Sequence, residues 1–224
     1  MCGRFTLHSR DRIKLKGLAS LDLPFKARYN IAPSQSVLTI GDFGTGLVAR
    51  LTTWGLIPSW STDGKGFINA RAETLEEKPS FSESFRLRRC LIPADGFFEW
   101  KRTGREKRPF YFQVDDAMPF AFAGIWDTWR NRGDLITSCA IITTAANELV
   151  GELHDRMPAI LLHDHDAWLD LRTDRTVLTE MLKPFPSLMM KTYPVSSSVN
   201  SPDNDTADLL VRVDSEVGQT LSLF

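Results

Sequence analysis

Apolar residues along this chain fall in short runs separated by turn-forming residues. Residues 37–40 and 47–54 mix β-branched and apolar side chains, and Gly41-Asp42-Phe43-Gly44-Thr45-Gly46 between them predicts a hairpin. That turn lacks the Gly-Lys-Ser/Thr ending of a phosphate loop. Runs of the same kind at 90–93, 96–101, 110–114, 120–126 and 135–143 read as further strands. Helical spacing is confined to 11–21, weakened by Gly17, to 145–153, where Asn147 is a candidate cap, and to 166–171, ahead of a turn at 178–182. Many short strands with a few interposed helices, and no alternating βα rhythm, predict an α+β fold. Its sheets should be curved and mainly antiparallel, its helices short and peripheral. With no repeat, low-complexity tract or long linker, residues 1–224 are expected to form a single domain.

Composition narrows the class. A hydrophobic content of 42% and a charged content of 25% are those of an ordinary globular protein. The apolar runs fall short of the roughly 20 residues a membrane span needs, and the N-terminus lacks the sections of a signal peptide, so a cytoplasmic protein with no membrane partner is expected. The 3 cysteines form no CxxC pair and have no His at zinc-ligand spacing, which predicts neither a disulfide nor a structural metal. Cys90 and Cys139 sit in apolar runs and read as core.

The formal net charge of -1 gives no global reason to expect nucleic acid, but the charge is unevenly placed. Arg86, Arg88, Arg89, Lys101, Arg102, Arg105, Lys107 and Arg108 face only Asp95, Glu99 and Glu106 in the same stretch, while the C-terminal segment is acidic. Such a face can bind phosphates, although a solvated hairpin tip explains residues 101–108 equally well.

Several residues carry chemical potential. Cys2 directly follows Met1, and removal of Met1 would leave a chain beginning with a 1,2-aminothiol, a reagent no internal residue supplies. In Asp95-Gly96-Phe97-Phe98-Glu99-Trp100, a strand puts Glu99 on the face of Phe97 and Trp100 on the face of Phe98. Burial among aromatics would suit Glu99 to proton transfer near neutral pH; an edge-strand Glu paired with Lys101 or Arg102 is the competing interpretation. His154 falls at a helix-to-strand corner ahead of Pro158. Asn69 and Arg71 are two residues apart, on one face if the segment is extended, where an amide can orient a carbonyl and a guanidinium can take a phosphate. Trp54, Trp60 and Trp100 are candidate base-stacking platforms, or core. His163 and His165, among Asp164 and Asp166, make a poor metal site.

Six stretches taken together resemble the SOS-response-associated peptidase family, the abasic-site processing proteins. They are Met1-Cys2-Gly3-Arg4-Phe5, Tyr29-Asn30-Ile31-Ala32-Pro33, Trp54-Gly55-Leu56, Ile68-Asn69-Ala70-Arg71-Ala72-Glu73-Thr74, Pro93-Ala94-Asp95-Gly96-Phe97-Phe98-Glu99-Trp100 and His154-Asp155-Arg156-Met157-Pro158, with a weaker echo in Tyr193-Pro194-Val195-Ser196. They run in family order to about residue 160, and the likeness fades after Asp164.

The resemblance implies that Cys2, Asn69, Glu99 and His154 gather around a processed N-terminus. It further implies that single-stranded DNA containing an abasic site binds there, and that the aminothiol closes on the lesion's aldehyde as a thiazolidine. Arg4, Arg71 and Arg156 are implied as backbone contacts or their supports, with Pro33, Trp60, Trp100 and Thr143 lining the groove. A methionine aminopeptidase is the implied maturation partner, the protein is expected to be a monomer, and the chemistry calls for no cofactor and no metal. Two other classes stay open: an N-terminal-cysteine peptidase or amidohydrolase, and a non-catalytic single-strand binder.

Overall fold

The structure is a computed structural model and describes residues 2–9, 25–104, 106–114, 120–131 and 133–213. The helix expected over 11–21 lies outside the described residues. Among the described residues thirteen strands dominate, with a few short helices, in two sheets.

The first sheet has the order β13 (Met190–Pro194), β8 (Glu106–Val114), β7 (Gly96–Thr103), β1 (Phe5–Leu7), β2 (Arg28–Ile31), all antiparallel. The second contains β10 (Asp134–Ala145), β4 (Leu47–Trp54), β3 (Ser36–Asp42), β6 (Arg89–Ala94) and β9 (Phe120–Asn131). Because β9 pairs back onto β10, these strands close into a barrel. Closure needs one parallel contact, β10 on β4. Three short strands fringe the barrel: β5 (Asn69–Arg71), parallel on β10, β11 (Arg156–Pro158), also on β10, and β12 (Ile160–Leu161) on β9.

The expected hairpin is present, paired from Ser36↔Thr53 to Asp42↔Leu47. Asp42 Oδ1 accepts from the N–H groups of Gly44 (2.8 Å) and Gly46 (3.1 Å), whose φ values of 96° and 91° demand glycine. The later strands run longer than their apolar runs, β9 and β10 reaching 12 residues each, because polar residues extend the hairpin between them.

Asn147 caps α2 (Glu148–Gly151), its side chain accepting from Val150 N at 2.9 Å. The helix expected over 166–171 is α3 (His165–Leu169). The turn expected at 178–182 is instead part of α4 (Arg175–Met181), capped by Asp174, with Leu178 and Leu182 one helical turn apart and both buried. The β-branched Thr176 and Val177 mask that helix in sequence. A remaining helix, α1 (Ser82–Leu87), precedes β6.

The barrel interior and its junction with the first sheet form the core. Phe5 of β1 packs edge-on against Trp54 (5.1 Å) and Phe122 (5.6 Å) of the barrel, pinning the N-terminal strand between the two sheets. All three cysteines are free thiols, and burial pushes Cys139 up to about 12. His165 is buried against the carbonyl of Leu161 at 3.1 Å, and burial pushes its pKa down. No helix among the described residues is long and apolar enough to cross a membrane.

Candidate active site

The site lies where β1, β5, β7 and the corner between α2 and β11 meet. Cys2 precedes β1 and is fully buried. Its thiol donates to the carbonyl of Arg4 (3.8 Å), and its own carbonyl accepts from Asn69 Nδ2 at 2.9 Å. That contact fixes the amide orientation of Asn69 and leaves Oδ1 buried with no partner among the described residues. Burial raises the Cys2 pKa well above the ordinary thiol value, and coupling to Glu99 raises it further. The thiol is therefore held protonated, unlike the thiolate of an activated cysteine nucleophile.

Glu99 is buried, 3% exposed, on a strand flanked on both sides by β1 and β8. The edge-strand interpretation is thereby overturned. Burial pushes its carboxyl pKa up, with coupling to the N-terminus and to His154 pulling the other way. The expected faces hold: Phe97 joins the core containing Cys2, while Trp100 packs with Phe98. Gly96 opens the strand because a Cβ there would lie 2.4 Å from both the Phe112 carbonyl and the Tyr111 hydroxyl.

His154 lies at the expected corner. Its Nδ1 is 3.0 Å from the Arg156 N–H and 2.8 Å from Asp155 Oδ1, and a neutral imidazole nitrogen cannot serve both. Asp155 is largely exposed to competing water, so the backbone N–H is the better shielded of the two partners.

Glu99 and His154 line a cleft of about 520 Å³ together with Trp100, Arg102, Lys107 and Asn200. A larger cavity of about 620 Å³, between α1 and α4, contains none of the expected site residues.

The remaining expected residues divide by burial. Trp60 is 60% exposed, Arg71 is exposed and Pro33 half-buried. Trp54 is fully buried, its indole N–H donating to the Ile68 carbonyl at 2.8 Å, so it is core and not a stacking platform. Thr143 is also fully buried in β10 and cannot line a groove; its carbonyl accepts from Arg156 at 2.6 Å. Arg156 in turn grips Glu73 with both terminal nitrogens, at 2.6 and 2.9 Å. Arg4 donates to Asn30 Oδ1 (2.8 Å) and to the carbonyls of Val199 (2.6 Å) and Asn200 (2.9 Å). Both guanidiniums thus tie protein segments together. Arg89, counted in the basic stretch, is buried against the carbonyls of Trp168, Phe85 and Asp170 at 2.7 to 2.9 Å.

Sequence reasoning missed Asn30 and Asn200. Asn30 is buried and donates to the carbonyls of Ser201 (2.9 Å) and Asn204 (2.8 Å), and Asn200 Oδ1 accepts from the Trp100 indole at 2.8 Å. Asn30 stands inside one of the quoted motifs. Asn200 lies past the point where the likeness fades and carried no signal.

Known proteins are similar to this chain over most of its length. A model of the family described as SOS response associated peptidase (SRAP) matches residues 1–202. The abasic site processing protein YoaM of Bacillus subtilis is 42% identical, covering 94% of this chain and 97% of its own length. The abasic site processing protein YedK of Escherichia coli is 31% identical over 95% of this chain and 100% of its own. A crystal structure of a protein from Bacteroides thetaiotaomicron superposes with a TM-score of 0.80 at 28% identity, covering 95% of this chain and 100% of that one. The chain belongs to the SOS response associated peptidase family.

Proposed function

We propose that this protein processes abasic sites in single-stranded DNA by forming a covalent link through Cys2 once Met1 has been removed. The observation that carries this reading is the enclosure of Cys2. The residue that would become the N-terminal aminothiol is buried with Asn69 on its carbonyl and a high-pKa carboxyl, Glu99, coupled to its thiol. The names of its relatives, abasic site processing proteins, supply the substrate.

The chemistry follows from the groups present. The α-amine, with a reference pKa of about 7.7 to 8.0, has a useful neutral fraction at physiological pH and attacks the aldehyde carbon of the ring-opened sugar. Protonation of the carbinolamine hydroxyl by Glu99 releases water and leaves an imine. The protonated thiol then adds across the C=N bond: sulfur bonds to carbon, the S–H proton leaves by way of Glu99 and nitrogen ends protonated. The product is a five-membered thiazolidine, and the net change is loss of one water. Asn69 Oδ1, without a partner among the described residues, is the acceptor for the amine, and His154 serves the sugar oxygen from across the cleft.

Intact mass spectrometry tests this. The purified protein should lack Met1, and incubation with a single-stranded oligonucleotide carrying one abasic site should add the oligonucleotide mass less one water. Cys2→Ala should abolish the stable product, since its amine can form only the hydrolysable imine. A processed wild type that gains no mass overturns the reading. Peptide turnover without DNA would then favour the amidohydrolase, and binding indifferent to Cys2→Ala would favour the passive binder.

A further inference from the structure

The cavity of about 620 Å³ between α1 and α4 shares no residue with the Cys2 site, and its lining is lopsided in charge. Three arginines, Arg86, Arg89 and Arg175, stand against two acids, Glu76 and Glu83. Glu76 is paired with Arg175, and Glu83 is drawn to Arg88, which lies 3.2 Å away and is not part of the lining. Arg86 and Arg89 are thus left without a carboxylate partner among the described residues. Arg89 is the more demanding of the two, because it is only 4% exposed. Its guanidinium donates to the carbonyls of Trp168, Phe85, Arg86 and Asp170 at 2.7 to 3.3 Å. Those bonds leave one Nη2 hydrogen with no acceptor among the described residues, and they supply dipoles where a buried cation calls for a counter-charge. Asp170 offers only its carbonyl, since its carboxylate is held by Arg172 Nε and Nη2 at 3.0 and 2.9 Å. Burial lowers the Arg89 pKa, and the Asp170 charge offsets this only in part. The apolar part of the lining is Phe85 and Leu178, buried in the core, and Leu171, which is 54% exposed. Uncompensated cations beside uncovered apolar surface suit one kind of occupant, an oxyanion carried on an apolar body.

We propose that this cavity is a second binding site, for a small organic anion whose carboxylate or phosphate lies against Arg89 and Arg86 and whose apolar body is covered by Phe85, Leu171 and Leu178. The ligand supplies the counter-charge that folding withholds from Arg89. The site is independent of the Cys2 chemistry, so either can fail without the other.

Isothermal titration calorimetry on the full chain tests this with four probes: phenylacetate, phenyl phosphate, acetate and the neutral phenethyl alcohol. The two aromatic anions should bind and raise the thermal midpoint, and the tighter of them assigns the headgroup. Acetate lacks the apolar body and phenethyl alcohol lacks the charge. Each should bind about tenfold more weakly or worse, the worth of a buried ring or of a charge-assisted hydrogen bond. Because Arg89 also ties α1 to the chain beyond α3, the substitutions are placed at the exposed Arg86 and Leu171. Arg86→Gln should weaken phenylacetate by about two- to fivefold, as for an exposed charge pair. Leu171→Glu, which sets a carboxylate at the rim, should weaken it further, and both variants should melt as wild type does without probe. In wild type the Arg89 Nε–H resonance should shift when either aromatic anion is added. Neither aromatic anion binding at millimolar concentration overturns the site, as does phenethyl alcohol binding as tightly as phenylacetate. Equal phenylacetate binding by wild type and Leu171→Glu, with an unmoved Arg89 resonance, overturns it too. Displacement of phenylacetate by an undamaged single-stranded oligonucleotide would overturn it by assigning the cavity to nucleic acid.

Discussion

Glu99 is a carboxyl that the fold keeps from ionising easily, and this has two separable consequences. In the reaction, a buried acid with a raised pKa can give a proton to the carbinolamine and recover one from the thiol, so Glu99→Gln should slow crosslinking by about 10²- to 10⁴-fold. Rapid-quench sampling of adduct formation reads this directly, and a loss under threefold would remove Glu99 from the chemistry. In folding, the sign runs the other way. The unfolded chain ionises this group near the ordinary Glu value of about 4.3, whereas the folded protein holds the proton to higher pH. As pH rises through that window, wild type loses stability relative to Glu99→Gln. The variant's advantage in thermal midpoint should therefore be absent well below pH 4 and grow toward neutrality. One substitution that lowers rate and raises stability at pH 7 is the signature of a carboxyl buried for function.

Among the elements, the C-terminal segment from Val199 to Asn204 is held by the buried amide of Asn30 together with Arg4. Asn30 accepts from Arg4 and donates to the carbonyls of Val199, Ser201 and Asn204, so Asn30→Ala leaves several buried groups without a partner. The expected cost is about 1 to 3 kcal/mol in urea unfolding, with a weaker grip of Asn200 on Trp100 and a higher oligonucleotide concentration for half-maximal crosslinking. This segment also marks the limit of what the sequence revealed. The hairpin of β3 and β4, the faces of β7 and the cap at Asn147 were legible because alternation, glycine turns and capping chemistry are local signals. Strands β1, β5, β11 and β12, of 2 or 3 residues each, were not, since they exist only through pairing with distant partners. Burial separates Trp54 from Trp60 and Arg89 from Arg102, and it is decided by tertiary packing that no spacing rule encodes. Four residues scattered from Cys2 to His154 were readable as a group through motif resemblance, and their meeting place only through the fold.

At the scale of the whole molecule, the site belongs to neither sheet. Cys2 and Glu99 come with the first sheet, Asn69 comes from a strand carried on the barrel, and His154 precedes another. The contacts of Phe5 with Trp54 and Phe122, and of Asn69 with the Cys2 carbonyl, span the junction. If these contacts couple the two halves as strongly as their burial implies, the site cannot persist when the barrel opens, nor the barrel outlast the loss of β1. Two probes within the protein can be compared across a urea series. Alkylation of Cys90 and Cys139, followed by peptide mass mapping, reports opening of the barrel interior, where both thiols are fully buried. Adduct yield in a short pulse with saturating abasic-site oligonucleotide reports the junction. The two midpoints should coincide, as for a single cooperative unit. Adduct yield failing at distinctly lower urea, with both thiols still protected, would show the first sheet leaving an intact barrel, and the chain would then unfold as two units joined at its active site.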